Sequence, residues 1–341
     1  MKIINSTKMQ EFFERCLENI NDDSINEYIG TIVEPQEEVA VQEELSEIGV
    51  HEFQGDKSTW PSLYISVDEY KKTPYNMNIH LDKINGDGFE YNEDVMPAYE
   101  LFNVDVVQPD PNRELNDSLI LRAFDKPYKT VILKQDGEYW MTDTPAEANT
   151  INPCAEKAHG NVLTFGLGIG YFVYMALRNP NVDSVTIVER SPSVIKMFKK
   201  YLLPQFPSDK EIEIIEGDAF EYFNEEFLSK YDYTFVDIWK SSDDGFEIIQ
   251  RMLESYLPPF EKIDFWIEET CMEFLTSMIC IYFNYTANGR KIVHNDPFYM
   301  SIYHKIESYF DSIDDTITDV EVLKDYMYSK KVLREIISIH K

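Results

Sequence analysis

Long apolar runs, cysteine and positive charge are all scarce in this 341-residue chain. The most apolar stretch, FLTSMICIYFNYTA, falls short of the roughly 20 residues that a membrane-spanning helix needs. The opening MKIINSTKMQEFFERCLENI carries charges where a secretory leader requires an unbroken apolar centre. The expectation is a cytoplasmic protein with no membrane partner. Only four cysteines occur, Cys16, Cys154, Cys271 and Cys280. None forms a CxxC pair, so neither a thiolate zinc site nor a redox motif is suggested. They read as buried thiols of a reducing compartment. Lys and Arg total 31 against 62 Asp and Glu, a net charge of −31. Nucleic-acid affinity rests on cations meeting phosphates, so this balance argues against a nucleic-acid partner, and the field of the chain attracts cations. His residues are also few, and none accompanies Asp237, Asp243, Asp244 and Asp264 at ligand spacing; no metal is expected. His159, just ahead of an apolar run, reads as structural.

What is present suggests about two domains at roughly 150 residues each. Residues 1–50 read as a helical and acidic segment: Phe12, Phe13, Cys16, Leu17 and Ile20 share a helical face, and EPQEEVAVQEELSEIG follows as a solvated run. Residues 51–155 read as a β-rich region. SLYISV, MNIHL, LILRAF, KTVILKQ and EYWMT are short strand candidates, and Gln135-Asp136-Gly137 marks a hairpin turn. From 156 to 341 apolar strands alternate with helical segments and a helical extension closes the chain. NVLTFG, SVTIVE, IEIIEG, YDYTFVDIW and IDFWIEE alternate with helices begun or ended by Ser191, Pro192, Pro180 and Pro204. Such alternation predicts an α/β fold, a Rossmann-like, doubly wound and mostly parallel sheet. The closing VEVLKDYMYSKKVLREIISIHK reads as a single amphipathic packing helix. The oligomeric state stays open, with a homodimer through the β-rich region as one option.

The chemistry concentrates at the carboxyl ends of these strands. NVLTFGLGIGYF places Gly166, Gly168 and Gly170 between a strand and a helix, where glycine permits a tight turn and close approach of a ligand to the backbone. A dinucleotide turn reads GxGxxG, which would put the third glycine at position 171. Tyr171 stands there, which favours a cofactor without a pyrophosphate. Glu189 ends the second strand about 20 residues on, where a carboxylate can accept both ribose hydroxyls. Asp218, in EGDAF, is placed to accept an exocyclic adenine amine, with Ala219 and Phe220 as apolar cover. Asp237 ends the fourth strand, as a cofactor ligand or a base, and Trp239 beside it reads equally as a cover for the ligand or as core.

VLTFGLGIG, VTIVE, GDAF and YDYTFVDIW, in that order, resemble the motifs of the S-adenosylmethionine-dependent methyltransferase superfamily across about a third of the chain. The nearest look is to the spermidine synthase-like branch, in VTIVERSPSVIKMFKKYLLP, IEIIEGDAFEYF and the preceding β-rich region with its KQDG turn. The resemblance implies S-adenosylmethionine as cofactor and S-adenosylhomocysteine as product. It implies cofactor contacts from Phe165, Gly166, Leu167, Gly168, Gly170, Tyr171, Glu189, Arg190, Asp218, Ala219, Asp237 and Trp239, with Asp237 also the candidate catalytic base. The branch has an Asp in its glycine turn where Ile169 stands here, and an Asp-rich segment where this chain has DIWKSSDD. The expected function is methyl transfer to a small-molecule or peptidic acceptor. The alternatives are aminopropyl transfer from decarboxylated S-adenosylmethionine, and a non-catalytic binding module on the same fold.

Overall fold

Five apolar runs between residues 160 and 265 pair into one parallel sheet in the computed structural model, which describes residues 1–20, 25–206 and 209–340. The strands are Gly160–Phe165, Val182–Glu189, Glu211–Glu216, Tyr233–Val236 and Ile263–Phe265. Across the sheet they lie in the order third, second, first, fourth, fifth. Val162 sits opposite both Val185 and Tyr233, and Phe165 opposite both Val188 and Val236. Parallel neighbours need crossovers. Helices Tyr171–Arg178, Pro192–Met197 and Ser242–Ser255 supply them. The winding reverses between the first and fourth strands, which opens a crevice at their carboxyl ends.

Alternate side chains send the strands into two cores. Leu163, Phe165, Val236 and Phe265 join one with the C-terminal helices, and Val162, Val185, Ile187 and Phe235 join the other with Phe172 and Val173. This is the Rossmann-like, doubly wound α/β arrangement that the alternation predicts. Ser191 caps its helix by accepting from the Val194 amide, with Pro192 in the first turn. DAFEYFNEEFL makes two short helices, Ala219–Tyr222 and Glu225–Leu228, because Asn224 breaks the run and caps the second.

Ahead of this sheet lies a four-stranded antiparallel one, in the order Glu138–Asp143, Tyr128–Gln135, Phe89–Met96, Asn85–Gly86. Its hairpin turns at Asp136 and Gly137, both at positive φ, as a two-residue turn matched to strand twist requires. MNIHL, expected as a strand, belongs instead to the helix Pro74–Asn78 and the turn after it. Pro74 presets the helical φ in the first turn, and local geometry wins over the apolar content.

The first fifty residues are divided between two cores. Strand Lys2–Ile3 pairs in parallel with Thr316–Ile317. Helix Thr7–Asn19 sends Met9, Phe12, Phe13 and Cys16 into the core of the C-terminal helices, while Leu17, expected on that face, stays 42% exposed. Helix Glu38–Glu47 instead packs Leu45 against Phe53, Leu63 and Leu121 in a separate core. The closing segment is two helices, Val320–Tyr328 and Lys330–Ile337, because Ser329 ends one and caps the other by accepting from Val332. Arg334 on the last helix is 2% exposed and meets Glu268, 1% exposed, through two hydrogen bonds of 2.6 Å. Among the described residues no helix is long and apolar enough to cross a membrane.

Candidate functional site

The first strand ends in the fully buried Phe165, and the chain turns at once through Gly166 at φ +95°. A Cβ on Gly166 would overlap the carbonyl oxygen of Asp237, so the two strand ends touch backbone to backbone. Gly170, at φ +73°, opens helix Tyr171–Arg178, and a Cβ there would run into the Phe198 ring. Leu167 and Ile169 turn inward, and the buried Tyr75 hydroxyl donates to the Ile169 carbonyl at 2.7 Å. Opposite Gly168 lies the Met141 sulfur, from the antiparallel sheet.

Glu189 locks onto this turn. One carboxylate oxygen accepts from the Leu167 amide at 3.1 Å and the other from the Ser191 amide at 2.7 Å. Each oxygen keeps a lone pair for a further donor. Burial pushes the carboxyl up, while those amides and the Arg190 charge pull it down. Arg190 itself is exposed. Asp218, also exposed, caps helix Ala219–Tyr222 by accepting from the Phe220 amide at 3.0 Å. Ala219 is buried beneath it, and the Arg251 guanidinium lies 3.9 Å over the Phe220 ring.

Asp237 donates its amide to Phe165 at 2.9 Å. Its carboxyl is pushed up to about 8, first by burial and then by the charges of Glu147 and Glu189. Glu147 is itself pushed up to about 7, by burial and then by Asp143. Burial raises Asp143 as well, against the pull of the Tyr70 and Tyr128 hydroxyls; the Tyr70 hydroxyl stands 3.3 Å from its carboxylate. The charges of Glu189 and Glu147 thus bear on Asp237, and that of Asp143 on Glu147. A carboxyl poised near neutrality can take a proton from an arriving nucleophile.

Sequence reasoning missed Asp143 and Glu147. Their local signal was the Thr144-x-x-Glu147 pattern with Pro145, a helix-start signature. Thr144 does cap helix Pro145–Lys157. Nothing local says that this helix start faces the end of a strand ninety residues on.

Other candidates lie apart. The Trp239 ring, expected to cover ligand or core, is in the core, stacked at 29° on Phe265 with Gly245 against its edge. Its indole nitrogen is buried without a hydrogen-bond partner. Tyr171 opens its helix and donates to Asn152 at 3.0 Å. Asp243 and Asp244 sit exposed in the first turn of helix Ser242–Ser255. Asp264 accepts from Tyr233 at 2.7 Å and from Lys157. His159 is exposed against the Lys157 carbonyl. Among the described residues no three His, Cys, Asp or Glu gather as metal ligands would.

Over part of its length the chain is similar to known transferases. Over 79 residues, 23% of its length, it is 35% identical to the polyamine aminopropyltransferases of Thermoanaerobacter sp. strain X514 and Thermoanaerobacter pseudethanolicus. That match spans 28% of the length of those relatives. Among solved structures, spermidine synthase from Thermotoga maritima matches at 18% identity and a TM-score of 0.29, over 39% of this chain and 45% of its own. Mitomycin 7-O-methyltransferase matches at 23% identity and a TM-score of 0.24, over 32% of each chain. No family model matches the chain.

Proposed function

We propose that this protein transfers an alkyl group from a sulfonium nucleoside of the S-adenosylmethionine type to a nucleophile, with methyl transfer to a nitrogen as the leading chemistry. The observation that carries the reading is the Gly166–Glu189–Asp237 arrangement. The second-strand carboxylate holds the glycine turn through the Leu167 and Ser191 amides and keeps lone pairs for ribose hydroxyls, and the Asp237 backbone packs against Gly166 beside it. The residues fit such a cofactor through Glu189, whose carboxylate at the end of the second strand keeps the free lone pairs that a ribose clamp needs. Asp218 and Phe220 would face the base.

When bound, the cofactor supplies an electrophilic carbon on a positively charged sulfur. The protein's share is to hold the acceptor in line and to keep water away, which accounts for much of the rate in such displacements. An amine acceptor arrives as an ammonium and must lose a proton before its lone pair can attack. Asp237, half-buried and with its carboxyl raised to about 8, takes that proton.

A second reading, aminopropyl transfer, is supported by the 79-residue match to polyamine aminopropyltransferases. Ile169, buried at 5% exposure, leaves the glycine turn without a carboxylate to meet an aminopropyl amine, and this favours the methyl reading. Calorimetric titration with S-adenosylmethionine, its decarboxylated form and S-adenosylhomocysteine, repeated on Glu189→Ala, tests the proposal. Binding of the parent cofactor that Glu189→Ala abolishes is the expected result. Preference for the decarboxylated form transfers the assignment to aminopropyl chemistry. No binding of any of the three refutes both.

A further inference from the structure

The hairpin of the antiparallel sheet is fastened to the segment that follows Glu189. The Gln135 side-chain amide donates to the Ser193 hydroxyl at 3.1 Å. The Ser193 and Ser191 hydroxyls share a hydrogen bond of 2.9 Å. The Ser191 amide donates to one Glu189 oxygen at 2.7 Å, and the other oxygen accepts from Leu167 at 3.1 Å. An unbroken run of hydrogen bonds therefore leads from Gln135 through Ser193, Ser191 and Glu189 to the glycine turn. Both ends of the run are set by local structure. Gln135 closes its strand opposite Phe89 and Glu138, and Phe89 shares a core with Val194 and Phe198, just beyond Ser193. Ser191 caps its helix, and Pro192 between the two serines presets the helical φ. A second attachment is separate from this run. Asp87, in the turn between Asn85–Gly86 and Phe89–Met96, accepts from Lys196 at 2.7 Å and from Lys200 at 2.8 Å. Those lysines are four residues apart and share one face of their segment.

We propose that Gln135 is a positioning residue: through Ser193 and Ser191 it fixes the Glu189 carboxylate, so that the antiparallel sheet tunes the affinity of the ribose site. The proposal rests on the transferase reading for what Glu189 holds; the hydrogen bonds stand without it. A half-buried carboxylate presents its remaining lone pairs in a direction fixed by the donors it already has. One of those donors is the Ser191 amide, and Ser191 is steadied from the side by the hydroxyl pair that Gln135 holds. Cutting the run at Gln135 leaves the Glu189 contacts in place but free to drift. The ribose hydroxyls then meet a carboxylate that must be ordered on binding, and affinity falls.

The test combines NMR hydrogen exchange on the full chain without ligand and calorimetry with S-adenosylhomocysteine and its 2′-deoxyribose analogue. Gln135→Met, close in length and shape, removes the donor. We expect the Leu167 and Ser191 amides to exchange about threefold to tenfold faster, the range set by one neutral hydrogen bond, with Tm as in the parent. S-adenosylhomocysteine should weaken by a similar factor, and the 2′-deoxy analogue, which lacks one of the hydroxyls, by less. Ser193→Ala cuts the same run, so adding it to Gln135→Met should change nothing further. Asp87→Asn loosens the other attachment and should leave both amides as in the parent. Parent-like exchange or parent-like S-adenosylhomocysteine affinity in Gln135→Met would overturn the proposal. So would additive effects of Gln135→Met and Ser193→Ala, or an Asp87→Asn that reproduces the fast exchange, since docking of the sheet would then suffice. A parent that binds neither nucleoside, with the exchange effect present, would sink the transferase reading and leave the hold of Gln135 on Glu189 intact.

Discussion

Replacing Asp237 by Asn should make the protein more stable, and by an amount that depends on pH. The carboxyl of Asp237 is raised from its ordinary 3.8 to about 8, chiefly by burial. Between those two values the folded chain keeps a proton that the unfolded chain releases. Stability therefore falls as pH rises through that window and levels off above about 8. Each tenfold change in proton affinity is worth about 1.4 kcal/mol, so the liability has a ceiling of about 6 kcal/mol at pH 8 and under 2 kcal/mol at pH 5. Water reaching the ionised carboxylate and relaxation around it lower the ceiling, and a gain of about 1–3 kcal/mol for Asp237→Asn at pH 8 is expected. At about 2.1 cal/mol/K per residue of unfolding entropy, a gain of 2 kcal/mol in 341 residues raises Tm by about 3 °C. Thermal melts of parent and variant at pH 5, 6.5 and 8 measure it. The gap should open as pH rises, while transfer activity collapses, as expected where a site stores strain for function. A gap that stays constant from pH 5 to 8, or a variant less stable than the parent at pH 8, would refute the reasoning.

Two further substitutions probe the frame of the site. Gly166→Ala places a methyl group on the Asp237 carbonyl at a backbone angle that costs an L-residue about 1–2 kcal/mol before any clash. It should abolish S-adenosylhomocysteine binding in calorimetry, and a parent-like affinity would mean that the turn does not cradle the ligand. Arg334→Met leaves Glu268 buried and unpaired, which should cost about 3–5 kcal/mol in urea unfolding. Adding Glu268→Leu should recover most of that loss, because the pair as a whole contributes little net stability.

The parallel sheet could be read from the sequence because short strand-like runs rich in Val, Ile and Phe alternate with helices that caps or prolines mark out. Ser191 and Pro192 announce a helix without knowledge of anything distant, and the helix is there. The ends of the strands followed, and with them the positions of Gly166, Glu189 and Asp237. What failed was of two kinds. MNIHL has strand composition, yet Pro74 commits it to a helical turn, and Ser329 splits a segment whose periodicity runs straight through it. The other kind is tertiary. Asp143 and Glu147 look like the rim of a hairpin and the start of a helix. Their meaning comes from a crossing helix that brings them to Asp237, and no local pattern encodes that approach.

The pairing of Lys2–Ile3 with Thr316–Ile317 bears on how the chain is made. Lys2 and Ile3 find their strand partner only once Thr316 and Ile317 have been made. At roughly 5–20 residues per second, a ribosome needs about 15–60 s to cover that interval. Throughout it, Met9, Phe12 and Phe13 lack the helices that finally bury them. That helix is a ready client for a holdase, and closure of its core waits on the synthesis of those later helices rather than on the folding of the sheet.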